Sequence, residues 1–293
     1  MVTTTTHDHT RFTALGDSAS CGVGDPTPDG WRGWAQILAD ALDSEGRVSF
    51  RKLAVPGATV ADVRHDQLPD ALAHHSDVTS LVVGLNDAMR STWDPDQVRA
   101  DLLHCADELA RQGTLLLCVR FHDHTRALGL PGVLARPMRR RIQVLNEIYD
   151  EIQGRYGALR LDLAADPIIY DRSFWALDRL HPSELGHRWL ARQAGILLRG
   201  EGVAIRLPSL VCTSAPPTRR DAVRTLVHDI VPWIARRARD LGPAVVEAVV
   251  RCLVDARHRQ RREPAVWCAA GPRRLRQGVG QTPVLAGNGP FSM

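Results

Sequence analysis

Lysine is almost missing from this chain: Lys52 stands alone among 37 Lys and Arg residues. With abundant Ala, Leu, Gly and Val, that imbalance reads as GC-rich coding bias rather than a functional choice. No run approaches 18 uninterrupted apolar residues, so no membrane span is expected. The first ten residues, Met1 to Thr10, have no apolar centre and do not read as a secretory signal. The six cysteines (21, 105, 118, 212, 252 and 268) show no CxxC spacing. That pattern argues against a disulfide framework. Cys105 and Cys118 sit in apolar contexts and are expected to be buried thiols. The compartment implied is a reducing cytoplasm. The net charge of +4 is too mild to imply nucleic acid.

That charge is unevenly spread. Arg219 to Arg276 carries 14 Arg against 6 Asp or Glu, a surplus of 8, which leaves about −4 on the rest. The expected organisation is a flexible N-terminus over 1–10, a main domain over 11–199 and a linker over 200–217. A basic helical extension would follow over 218–258, then a largely disordered tail over 259–293.

Within 11–199, short apolar runs alternate with amphipathic segments. Strands are expected at Phe12 to Leu15, Val48 to Val55, Val78 to Leu85, Thr114 to Phe121 and Leu159 to Leu163. Helices are expected at Trp31 to Leu42, Val60 to His74, Pro95 to Gln112, Arg136 to Tyr156 and Glu184 to Leu198. Pro69 should break or kink the second of these. Such alternation argues for an α/β fold, a parallel sheet covered by helices on both faces.

The ends of these strands carry the chemistry. Phe12 to Leu15 stops at Gly16-Asp17-Ser18. In an open α/β sheet, that places a hydroxyl at the carboxyl edge, where ligands bind. Ser18 is a candidate nucleophile; its structural alternative is a helix cap. Asp17 points away from Ser18 and reads as a turn residue. Asp178-Arg-Leu-His181 can put a carboxylate and an imidazole on one side of a turn, so that one ring nitrogen is held and the other is free to take a proton. Gly84-Leu-Asn86-Asp87 offers a side-chain donor at Asn86, or an Asn that closes its own turn. Gly57 can leave a backbone N–H free beside a substrate.

Ser, Gly, Asn and His thus fall at separate strand ends, in that order. Here the sequence resembles the SGNH (GDSL-type) serine hydrolases over about residues 11–199. The matching pieces are Gly16-Asp17-Ser18, Leu53-Ala-Val-Pro-Gly57-Ala-Thr59, Gly84-Leu-Asn86-Asp87 and Asp178-Arg-Leu-His181-Pro182. Trp175 to His187, and Val231 to Arg237 in the tail, resemble an actinobacterial-type branch. The resemblance implies a three-layer flavodoxin-like fold with about five parallel strands. It implies Ser18 as nucleophile, His181 as base and Asp178 as its orienting acid. The N–H groups of Ser18 and Gly57 and the Asn86 side chain would form the oxyanion hole. Pro56 departs from the usual pattern and fixes the entry to Gly57.

The expected activity is hydrolysis of an acyl or acetyl ester of a small molecule, lipid or glycoside through an acyl-enzyme. An acyltransferase with an alcohol acceptor would use the same site. A remote alternative is an anion- or nucleic-acid-binding protein acting through the basic tail, where Trp233 and Trp267 are too sparse for a stacking platform. No cofactor or specific nucleic-acid partner is implied, and nothing in the sequence bears on oligomeric state. Trp175 is the best candidate for a pocket wall. His122-Asp123-His124 reads as pocket rim rather than metal site, since adjacent residues rarely wrap one ion. His187 reads as a solvated or packing histidine. Arg139 to Arg141 read as a solvated helix face.

Overall fold

The computed structural model describes residues 10–43, 48–129, 132–214 and 218. The helices expected within 219–257 and the disorder expected over 259–293 lie outside the described residues. The chain separates into two units after Arg251, and every described residue belongs to the first.

Five parallel strands form one sheet: β1 (Thr10–Gly16), β2 (Val48–Lys52), β3 (Val78–Val82), β4 (Leu115–Arg120) and β5 (Leu159–Asp162). Their spatial order is β2-β1-β3-β4-β5, the flavodoxin-like order. Strand β1, between β2 and β3, pairs Phe12 with Phe50 on one side and with Val78 on the other. The Phe12 and Phe50 rings stack with centroids 5.1 Å apart. Every residue of β3 is buried, Thr79 and Ser80 included, as expected in a sheet covered on both faces. The edge strand β2 alternates half-buried and exposed positions.

The helices are α1 (Ser18–Cys21), α2 (Gly33–Leu42), α3 (Val60–Asp62), α4 (Leu68–His74), α5 (Leu85–Ala88), α6 (Pro95–Arg111), α7 (His124–Ala127), α8 (Gly132–Tyr156) and α9 (Glu184–Gly200). On the sheet, α2 packs against α9 and α6 against α8. A π-helical turn, Val63–Gln67, joins α3 to α4. It falls just before Pro69, where the missing N–H would interrupt a regular helix, and so accounts for the expected break.

Several boundaries differ from the sequence reading. The second strand ends at Lys52, because Leu53 and Ala54 N–H both turn to the Ala14 carbonyl. The third ends at Val82, because the Tyr149 hydroxyl captures the Val83 N–H at 3.0 Å and donates to the Val83 carbonyl at 2.8 Å. Trp31 lies outside α2, in a small hairpin of Pro26–Thr27 with Gly30–Trp31. The eighth helix starts at Gly132 rather than Arg136, with Pro137 inside it. Among the described residues, no helix is long and apolar enough to cross a membrane.

Residues 201–214 have no regular structure but are tied to the domain. Arg206 N–H donates to the Ala41 carbonyl at 3.0 Å. The Thr213 and Ser214 N–H groups both donate to Glu184, each at 2.8 Å. Cys105 and Cys118 are buried free thiols, and burial pushes both up to about 12.

Candidate active site

The carboxyl edge of the sheet gathers the strand ends singled out from the sequence. At the end of β1, Gly16 adopts φ +140, and a Cβ there would lie 2.2 Å from the Val82 carbonyl oxygen. Only glycine lets β1 finish this close to β3. The Gln67 side chain accepts from Gly16 N–H at 2.8 Å and donates to its carbonyl at 2.9 Å. Asp17 caps α1 by accepting from Ala19 N–H at 3.0 Å. Ser18 therefore opens a helix from a doubly anchored strand end.

His181 comes to Ser18 from the far end of the chain. Its Nε2 lies 2.8 Å from Ser18 Oγ and its Nδ1 lies 2.7 Å from Asp178 Oδ2. The other carboxylate oxygen of Asp178 accepts from the N–H groups of Leu180 and His181 at 2.8 and 3.0 Å. Burial pushes the Asp178 carboxyl up, but the hydrogen bond and charge of His181 and these two N–H groups outweigh it, so it sits below its usual range. A carboxylate on Nδ1 keeps the proton there and leaves the Nε2 lone pair facing the serine hydroxyl.

The turn that carries this pair closes on itself. Arg179 takes a left-handed φ of 58. Ala176 N–H donates to the His181 carbonyl at 2.8 Å, and Ser183 N–H to the Phe174 carbonyl at 2.8 Å. Gly24, at φ +103, backs the turn so tightly that a Cβ would fall 2.1 Å from the Pro182 carbonyl oxygen. One turn into α9, the buried His187 accepts from Trp34 N–H at 3.1 Å and donates to the Val23 carbonyl at 3.0 Å. It is a packing residue rather than a solvated one. Burial pushes it down to about 4.

Gly57 and Asn86 line the same cavity as Ser18 and His181. Gly57 is exposed at φ +84 with open space where a side chain would go. Asn86 is buried; its Nδ2 donates to the Ala58 carbonyl at 3.1 Å and, more weakly, to Asp17 at 3.4 Å. Asp87 accepts from Val60 N–H at 3.1 Å. Burial raises both Asp17 and Asp87 to about 6.

Trp175 is buried in the cavity wall, and its indole N–H donates to the Ile169 carbonyl at 2.7 Å. His122 and His124 also line this cavity and are buried, not placed on an open rim. Glu184 was not singled out from the sequence. It accepts from Arg32 at 3.0 Å and Arg188 at 2.8 Å, besides Thr213 and Ser214 N–H. Burial opposes its charge, but these donors hold its carboxyl well below the usual range. Gln67 and Tyr149 likewise had no local signal, since their partners lie 51 and 66 residues away.

No curated protein matches this chain. Among solved structures, an acetyl-xylooligosaccharide esterase from Geobacillus stearothermophilus is 21% identical, with 68% of this chain and 98% of that one covered at a TM-score of 0.51. The psychrotrophic esterase EstA from Pseudoalteromonas sp. is 15% identical, covering 65% and 97% at 0.51. The lipase/acylhydrolase from Enterococcus faecalis is 17% identical, covering 68% and 99% at 0.50. At these identities the structures speak for the fold. The model of the GDSL-like lipase/acylhydrolase family matches residues 14–189, from within β1 to the first half of α9. That span holds the end of β1, the four other strands of the sheet and every strand end described above, and the chain belongs to this family.

Proposed function

We propose that the chain is a serine esterase that cleaves a carboxylic ester through an acyl-enzyme. The observation that carries this reading is the relay from Asp178 through His181 to Ser18, with contacts of 2.7 and 2.8 Å. Family membership supports acyl hydrolysis in general.

Serine is a poor nucleophile unless a base takes its proton. Ser18 Oγ attacks the acyl carbonyl carbon as its proton passes to His181 Nε2. The imidazolium that forms is stabilised by Asp178, which stays ionised. Negative charge collects on the carbonyl oxygen, facing the N–H groups of Ser18 and Gly57 and the Asn86 amide. For Asn86, the hydrogen that now reaches weakly to Asp17 is the one that turns to the oxyanion. The tetrahedral intermediate collapses, the C–O bond to the alcohol breaks, and His181 returns the proton to the leaving oxygen. Water then attacks the acyl-enzyme, giving up its proton to His181, and Ser18 is released with the free acid. The substrates are esters of a small molecule, lipid or glycoside. The cellular setting we propose is the cytoplasm.

The test is Ser18→Ala assayed on short p-nitrophenyl esters. Loss of a triad nucleophile removes several orders of magnitude of turnover. Wild-type turnover in that variant would sink the proposal. A fluorophosphonate probe followed by mapping of the modified residue checks the same point, and should label Ser18 alone.

A further inference from the structure

The acyl chemistry leaves two buried histidines on the cavity wall without a task. His122 and His124 follow β4, and their rings stack with centroids 4.1 Å apart. They are 2% and 4% exposed and line the cavity that holds Ser18 and His181. Among the described residues, both ring nitrogens of His122 and Nδ1 of His124 lack any hydrogen-bond partner. Leaving a buried polar atom unpaired costs about 1–3 kcal/mol. Such atoms are nearly always paired in folded proteins, so three together in one cavity wall point to a partner supplied from the cavity.

The backbone beneath them is fixed. The Asn146 side chain accepts from Phe121 N–H at 2.7 Å and donates to its carbonyl at 2.9 Å. Asp123, between the two histidines, accepts from Thr125 N–H at 3.0 Å and pairs with Arg139 at 2.9 Å. The Trp175 ring lies 5.0 Å from His122 and 5.6 Å from His124. The imidazoles are therefore held in place rather than free to find partners elsewhere.

Their charge state narrows the ligand. Burial, and then the neighbouring His124, holds His122 well below its ordinary value. Burial, and then the charge of His181, pushes His124 down to about 4. At neutral pH each ring carries one N–H donor and one bare acceptor. An anion would use only the donors. A cation would use only the acceptors, and among the described residues no group of three His, Cys, Asp or Glu is placed to hold a metal. A hydroxyl both donates and accepts. Two rings stacked at 4.1 Å present both kinds of atom side by side, as neighbouring hydroxyls require.

We propose that the His122–His124 pair is a recognition subsite for an uncharged, hydroxyl-bearing part of the substrate, such as a sugar or polyol ester. This rests on the esterase reading of the same cavity.

The first experiment needs no variant. The full chain hydrolysing p-nitrophenyl acetate is titrated with methyl glucoside and with its fully O-methylated counterpart. The expected result is competitive inhibition by the glycoside and inhibition about tenfold weaker or more by the O-methylated compound. Equal inhibition by both, or by neither, overturns the inference. The second compares kcat/KM for a monoacetylated methyl glucoside with that for p-nitrophenyl acetate. In His122→Phe and His124→Phe this ratio should fall by about 10- to 100-fold, since the hydroxyl partners are lost. His124→Gln keeps a donor and an acceptor and should recover part of the ratio. An unmoved ratio in both Phe variants overturns the inference. Turnover of neither ester by the folded wild-type chain overturns the esterase reading and the subsite with it. Turnover of p-nitrophenyl acetate without discrimination between the sugars overturns the subsite alone.

Discussion

Tyr149→Phe removes a single oxygen and strands two backbone groups. The Tyr149 hydroxyl is fully buried, accepts from Val83 N–H at 3.0 Å and donates to the Val83 carbonyl at 2.8 Å. Burial holds the phenol well above its ordinary value, so it is neutral and can do both. Phe fills the same space, so no cavity of consequence is added and the loss is almost wholly polar. Each buried backbone group left unpaired costs about 1–3 kcal/mol, giving about 2–6 kcal/mol for the pair. For a domain of this size, 1 kcal/mol moves Tm by about 2–4 °C, so the expected drop is roughly 4–24 °C. Urea unfolding followed by tryptophan fluorescence should show a lower midpoint with an unchanged slope. Activity should fall as well, because Val83 leads directly into Gly84 and Asn86. A Tm within about 1 °C of wild type would refute the reasoning, since it would mean that Val83 is satisfied without the hydroxyl.

Three further outcomes are expected. Asn86→Ala should lower kcat by about 10²- to 10³-fold on p-nitrophenyl esters, the usual loss of one oxyanion donor, with a smaller change in KM. Gly24→Ala places a methyl 2.1 Å from the Pro182 carbonyl oxygen at φ +103, so the His181 turn must move; kcat should drop at least about tenfold, and an unchanged kcat would mean that Gly24 does not position the turn. His187 is neutral when folded and near 4, below its unfolded value, so its contribution to stability is present above about pH 6.5 and lost as pH falls toward 4. Asp17 and Asp87, raised to about 6, act in the opposite sense, so the readout is the difference between wild type and His187→Gln. Gln can keep both backbone hydrogen bonds, and the stability advantage of wild type over it should shrink between pH 6.5 and 4 in urea titrations; a constant difference argues against a buried neutral ring.

The parts of the fold that were legible are those set by local pattern. Val78 to Val82 and Leu115 to Arg120 read as strands because a sheet covered on both faces favours short segments rich in Val and Leu. Ser18, Asp178 and His181 stood out because each sits where an apolar run or a loop stops, and Asp178 and His181 are three residues apart. What was illegible depends on distant partners. Nothing near Gln67 shows that it clamps Gly16, and nothing near Tyr149 shows that it ends β3. The hairpin at Pro26–Thr27 and Gly30–Trp31 has two-residue strands, too short for a period to register. His122 and His124 were read as rim because polar residues after a strand usually face water; here Trp175 packs against both rings and Tyr170 against His122, which sets them in the cavity wall.

The edge strand β2 ends on Lys52, whose ammonium donates to the Trp31 carbonyl at 2.6 Å. Trp31 is 41% exposed and borders the Ser18 cavity. Because no other side chain in the sequence carries a primary amine, amine-reactive conjugation has a single side-chain target. A fluorophore installed there would sit next to an indole at the cavity mouth, and quenching by Trp31 would turn it into an optical gauge of occupancy. Attachment to an amine-reactive support through the same residue would hold the protein by that mouth, and entry of bulky esters would be impeded. The scarcity of lysine thus decides how this protein can be labelled and immobilised.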